Sequence, residues 1–162
     1  MQYRIGIGHD THQLQPGLKL IIGGLEIPHD QGCVAHSDGD VLLHALTDAI
    51  LGALAWGDIG EWFPDTDPAY RGADSRVLLQ QVLERVYGEG WKIGNVDCIL
   101  FAQRPRLSPL KASIRESLAE ILLVPALQVS VKAKTGERVG PIGREEAISA
   151  EVVALLQHDE HS

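Results

Sequence analysis

The stretch DGDVLLHALTDAILGALA at residues 38–55 constrains this chain more than any other. On a helical wheel Leu42, Leu43, Leu46, Ala49, Ile50, Ala53 and Leu54 share one arc, while Asp40, His44, Thr47 and Asp48 share another. A helix over 41–55 with so wide an apolar face must bury it against a second layer. The rest of the chain offers strands for that layer. Residues 3–8 alternate small and apolar side chains, and 18–22 and 25–27 read as a hairpin across Gly23-Gly24, with 28–32 as a loop. Two further strands are predicted over 95–101 and 127–133. Further helices are predicted from an Asp74 cap through Tyr87 with Gly88 as the stop, from Ser108-Pro109 with Leu110, Ile114, Leu118 and Ile121 inward, and over 145–157. The class is α+β, a mixed sheet with helices packed on one face. A length of 162 residues suits one domain, 1–157, with a polar tail at 158–162.

Charge and composition remove several functions. A net charge of −8 argues against a general affinity for nucleic acid or an anionic membrane. Cys33 and Cys98 form no CxxC pair, so they read as packing residues rather than a disulfide or zinc module. No run approaches the ~20 apolar residues of a membrane span, and the start of the chain enters a strand without a targeting segment. The chain reads as cytoplasmic. A small phosphorylated substrate stays open, because a metal or a few local cations suffice to hold it.

Five clusters are candidates for chemistry. Asp10 and His12 leave a strand on the same side, so carboxylate and imidazole can converge. His44 would complete a three-ligand set that leaves a tetrahedral zinc ion one open position. Asp48, four residues on, is placed to orient that histidine. The plain alternative is that Asp40, His44, Thr47 and Asp48 form a solvated helix face. Ala35-His36-Ser37-Asp38-Gly39-Asp40 runs into a helix start, where backbone N–H groups favour anions; capping alone accounts for Ser37, Asp38 or Asp40 but leaves His36 unexplained. Phe63-Pro64-Asp65-Thr66-Asp67 is an acidic turn within the 16-residue loop 57–72, suited to sugar hydroxyls or simply to solvent. Lys132-Ala133-Lys134-Thr135-Gly136-Glu137-Arg138 combines cations, a hydroxyl and a carboxylate suited to phosphates and Mg²⁺. There is no P-loop, no GxGxxG and no GxSxG elbow.

In order along the chain, IGIGHDTHQL, AHSDGDVLLHALTDAILGALAWGDIGEWFPDTDP, GADSRVLL, GNVDCILFAQRPRL and VKAKTGERVGPIGREEAI closely resemble the 2-C-methyl-D-erythritol 2,4-cyclodiphosphate synthases of the non-mevalonate isoprenoid precursor pathway. The resemblance implies a homotrimer with sites between subunits. It implies a phosphorus–oxygen lyase that turns 4-diphosphocytidyl-2-C-methyl-D-erythritol 2-phosphate into the cyclic diphosphate and CMP. It further implies zinc on Asp10, His12 and His44, Mg²⁺ or Mn²⁺ on Glu137, and transition-state stabilisation by His36 and Thr135. Ser37, Asp58, Ile59, Gly60, Phe63, Pro64, Asp65, Thr66 and Asp67 would contact erythritol and ribose, with Asp10 and His12 close to the substrate. Ala102, Gln103, Arg104, Pro105, Arg106, Leu107 and Ser108 would cradle cytosine. Lys134, Gly136 and Arg144 would approach phosphates or the subunit junction. Two positions depart from the pattern. Pro141 stands where many members carry an aromatic that lines a trimer cavity, and Lys134 stands where others often have Thr.

Overall fold

The computed structural model describes residues 1–159. Its main sheet has five strands: β1 (Gln2–Pro16), β4 (Gln31–Cys33), β5 (Trp91–Phe101), β6 (Val129–Lys134) and β7 (Ala147–His158). Their order is β4-β1-β7-β5-β6, antiparallel throughout except for the parallel β5–β6 pair. The short strands β2 (Leu20–Ile22) and β3 (Leu25–Ile27) form the predicted hairpin.

Three longer helices cover one face of the sheet. Helix α1 (Val41–Ala53) packs on β1 and β7, α3 (Ser75–Gly88) on β5, and α4 (Lys111–Leu122) on β6. The apolar arc of α1 is fully buried, as its periodicity requires. Its second arc is not a solvated face, since Asp40 and Thr47 are also buried. Asp40 caps α1 by accepting the Leu43 N–H and also accepts Gly23 N–H and Gly24 N–H, which ties the hairpin turn to the helix start. The short helices α2 (Ile59–Trp62) and α5 (Gly140–Gly143) lie within connecting segments.

Several boundaries differ from the sequence expectation. The helix expected over 145–157 is strand β7, the centre of the sheet. Ile148, Ala150, Val152, Ala154 and Leu156 alternate into the core at no more than 1% exposure, and both backbone edges are paired. Ala, Leu and Glu favour helix locally, but burial between two strands overrides so weak a preference. Residues 31–33, within and just beyond the expected loop, form β4 against the far end of β1. Helix α3 keeps its Asp74 cap and ends at Gly88, with Gly90 taking the left-handed backbone just beyond. Ser108–Leu110 forms a 3-10 turn, and α4 begins after it without a side-chain cap. Of the expected tail, His158 pairs in β7 and Asp159 meets Lys92, while residues 160–162 lie outside the described residues. Cys33 and Cys98 are buried free thiols. Among the described residues no helix is long and apolar enough to cross a membrane.

The uncovered face of the sheet carries Tyr3, Ile5, Ile7 and Val153, all exposed. Glycines at the even positions 6 and 8 let α1 sit directly on β1. A Cβ on Gly8 would lie 1.8 Å from the Ala45 carbonyl oxygen. That close approach brings His44 to the part of β1 from which Asp10 and His12 emerge, well inside a strand that runs on to Pro16.

Candidate metal centre and active site

Asp10 and His12 leave β1 toward the helices, and His44 leaves α1 toward the strand. Asp10 Oδ2 lies 2.9 Å from His12 Nε2 and 3.0 Å from His44 Nδ1, and the two ring nitrogens are 3.1 Å apart. A tetrahedral zinc ion with bonds of about 2.0–2.1 Å needs ligand atoms about 3.3 Å apart, so small side-chain movements open this triangle around the ion. Among the described residues these three form the group with metal-ligand geometry. One carboxylate, two imidazoles and an open fourth position fit zinc.

Burial by itself would raise the Asp10 carboxyl, but hydrogen bonds from His12 and His44 outweigh it and hold it well below the usual carboxylate range. Burial favours neutral His44, yet the hydrogen bond and charge of Asp10 raise its pKa above the ordinary 6.5. Protons and metal compete for these atoms. Metal release on acidification is therefore expected to begin above the pH at which an unperturbed histidine protonates. In the metal-free chain the same shift stabilises the fold below the unfolded value, and that contribution fades as pH rises through the folded one. Zinc titration against a chelator across this range checks the prediction, and an affinity flat with pH contradicts it.

The triad opens into a cavity of about 360 Å³ that also takes in His36, Ser37, Asp48, Ile59, Gly60, Phe63 and Asp65. His36 Nε2 is buried without a hydrogen-bond partner, which leaves it available to an incoming ligand. The remaining residues expected to contact sugar divide differently. Asp58 caps α2 through the Glu61 N–H, and Asp67 caps the turn Pro68–Tyr70 through the Ala69 N–H. Pro64, Thr66 and Asp67 are exposed and do not line the cavity. The wall also includes Val34, Ala35, Tyr70 and Leu78, which carry no chemical signature in the sequence.

Asp48 does not orient His44. It accepts the Ile59 N–H at 2.8 Å, fixing the loop that forms the cavity wall. The ring nitrogen His44 Nε2 turns toward the start of α3, where Ser75 Oγ lies at 2.8 Å and Ser37 Oγ at 3.1 Å. Ser75 is 31 residues from His44, so no local spacing announces the contact.

A second cavity, of about 280 Å³, is lined by Ala102, Arg106, Leu107, Ser108, Pro109, Ala133, Lys134 and Thr135. Ala102 N–H donates to the Lys134 carbonyl, which joins the 102–108 loop to the end of β6. Gln103 accepts the Arg138 N–H, Arg104 approaches Glu145, and the Arg104–Pro105 peptide is cis. Thr135 Oγ1 donates to Glu137 Oε1 and accepts the Glu137 N–H, both at 3.2 Å. Glu137 is a lone exposed carboxylate, which suits Mg²⁺ when phosphate oxygens supply the other ligands. Gly136 packs backbone to backbone on Gly143. Arg144 makes a bidentate pair with Glu146 and lines neither cavity. The two cavities share no residue. β1 and β6 are separated by β7 and β5, three strand spacings or about 14 Å.

Comparison with known proteins agrees with this geometry. Residues 3–157 match the YgbB family. The 2-C-methyl-D-erythritol 2,4-cyclodiphosphate synthase of Pseudomonas syringae pv. tomato is 56% identical over 153 residues, 94% of this chain and 98% of its own. A solved 2C-methyl-D-erythritol-2,4-cyclodiphosphate synthase in its CDP-bound form superposes with a TM-score of 0.88 at 40% identity, covering 95% of this chain and all of the other. The bifunctional IspDF from Campylobacter jejuni superposes with a TM-score of 0.92 at 39% identity, and this chain covers 43% of that longer protein while 98% of this chain is matched. The chain belongs to the YgbB family, with the 2-C-methyl-D-erythritol 2,4-cyclodiphosphate synthases as its relatives.

Proposed function

We propose that the chain converts 4-diphosphocytidyl-2-C-methyl-D-erythritol 2-phosphate to 2-C-methyl-D-erythritol 2,4-cyclodiphosphate and CMP, as a phosphorus–oxygen lyase in a homotrimer. The observation that carries the reading is the convergence of Asp10, His12 and His44 at the mouth of a polar cavity in a chain of this family. The substrate's 2-phosphate oxygen bonds to the β-phosphorus, the bond from that phosphorus to the CMP oxygen breaks, and CMP leaves with the electron pair. No protein nucleophile is required. The task is to fold the substrate on itself and neutralise charge.

Zinc held by Asp10, His12 and His44, and Mg²⁺ or Mn²⁺ held by Glu137, supply Lewis acidity and charge neutralisation to the phosphates. The chain's own groups do the rest. Ser37 and the backbone at Ile59 and Gly60 bind erythritol hydroxyls, and Phe63 walls off solvent. The unpartnered Nε2 of His36 bonds a phosphate oxygen. On the other side, Thr135 and Lys134 take the diphosphate, and the 102–108 loop holds cytosine.

The separation of the two cavities in one chain supports a site completed between subunits, and the exposed apolar face around Ile5 and Ile7 supports the association. Co-expression of His44→Ala and Glu137→Ala chains tests this arrangement. Each variant alone is expected to be inactive. Mixed trimers are expected to regain activity, because about one site in three joins two intact halves. Mixed trimers as inactive as the parents contradict a shared site.

A further inference from the structure

We infer that Asp38 and Ser75 are positioning residues that hold the Nε2–H of His44, so that its Nδ1 stays aimed at the point it shares with Asp10 and His12. The Asp38 carboxylate accepts the Asp40 N–H at 3.1 Å, the Ser75 N–H at 3.0 Å and the Ser75 hydroxyl. A carboxylate only accepts, so the single hydroxyl proton of Ser75 is committed to Asp38. Toward His44 Nε2, 2.8 Å away, Ser75 Oγ then has only lone pairs to offer. The ring nitrogen facing it therefore carries a proton, and with a metal on the opposite nitrogen the imidazole would be the Nε2–H form, which coordinates through Nδ1. Nδ1 is the atom that lies 3.0 Å from Asp10 Oδ2 and 3.1 Å from His12 Nε2.

The arrangement is built from three parts of the chain. Asp38 stands in the turn before α1, His44 on the second turn of α1, and Ser75 at the first position of α3, just after its Asp74 cap. Ser75 is 1% exposed, so water does not compete for its hydroxyl. Ser37 Oγ, at 3.1 Å from Nε2, is a second and longer acceptor for the same proton. With Asp38 as the fixed end, the chain Asp38–Ser75–His44 holds the ring plane, and Nδ1 stays directed at Asp10 and His12. Partners of this kind are typically worth about 10–100-fold in metal affinity.

The inference rests on the metal reading above, and two measurements separate the two. The first is nitrogen NMR of ¹⁵N-histidine-labelled, zinc-loaded protein, which follows exchange of the His44 Nε2–H with solvent. Slow exchange in the wild type and fast exchange in Ser75→Ala are expected, and equal rates in the two overturn the inference. The second is zinc affinity of the full chain and of Ser75→Ala, Ser37→Ala and the double variant. Ser75→Ala is expected to lose about 10–100-fold in affinity, with a larger loss in the double variant. Unchanged affinity in the double variant overturns the inference. A wild-type chain that binds no zinc refutes the metal reading and the inference with it, whereas zinc held equally by every variant overturns the inference alone.

Discussion

The His44→Ala chain is expected to lose turnover and metal retention together while it stays folded and associated. His44 supplies one of three ligand atoms that lie within 3.1 Å of one another. Two remaining donors hold zinc poorly in a site whose fourth position belongs to substrate. A Lewis acid on a phosphate contributes several kcal/mol to the transition state, so its loss is worth roughly 10³-fold or more in rate. The fold survives because the residues that anchor α1 to the sheet lie on its other arc, among them Leu42, Leu46, Ala49 and Ile50. Metal content after dialysis, turnover and sedimentation give three independent readouts. An active variant without zinc contradicts the assignment of the site.

The second large effect comes from a residue with no side chain. Gly8→Ala is expected to lower stability by about 3 kcal/mol or more, because the new Cβ meets helix backbone at Ala45 and Ala49 rather than a movable side chain. Helix α1 must then lift from β1. Since His44 precedes Ala45, the same displacement pulls it away from Asp10 and His12 and weakens metal binding. Gly88→Ala is a suitable control. Its Cβ meets nothing within 4 Å, and it is expected to be neutral or to stabilise α3 by about 0.5–1 kcal/mol. Denaturant midpoints at constant slope measure both. A Gly8→Ala chain with the wild-type midpoint contradicts the close helix–strand contact.

Much of this architecture is legible without coordinates, and the exceptions have physical causes. Helix α1 is recognisable because its apolar residues repeat at helical spacing and Asp40 stands where a cap is needed. The hairpin is recognisable because Gly23 and Gly24 both take the left-handed backbone that other residues rarely adopt. Strand β7 is misread because its Ala and Leu content serves either structure, and only pairing with β1 and β5 decides between them. Strand β4 is missed because three residues, Gln31, Gly32 and Cys33, are too few to carry a period. The metal triad is visible as residue types, with the same-side exit of Asp10 and His12 following from strand geometry. Its surroundings are not. The pairing of Asp48 with Ile59 and of Ser75 with His44 depends on where α3 and the 57–72 loop pack, which no local spacing records.

The most direct test of the proposed reaction is phosphorus NMR of the full-length protein with 4-diphosphocytidyl-2-C-methyl-D-erythritol 2-phosphate, zinc and Mg²⁺. Cyclisation predicts CMP together with a cyclic diphosphate, in equal amounts, because one substrate molecule yields one of each. CMP accompanied only by open-chain phosphates would mean that the metal activates water instead, making the chain a phosphohydrolase and contradicting the proposed cyclisation.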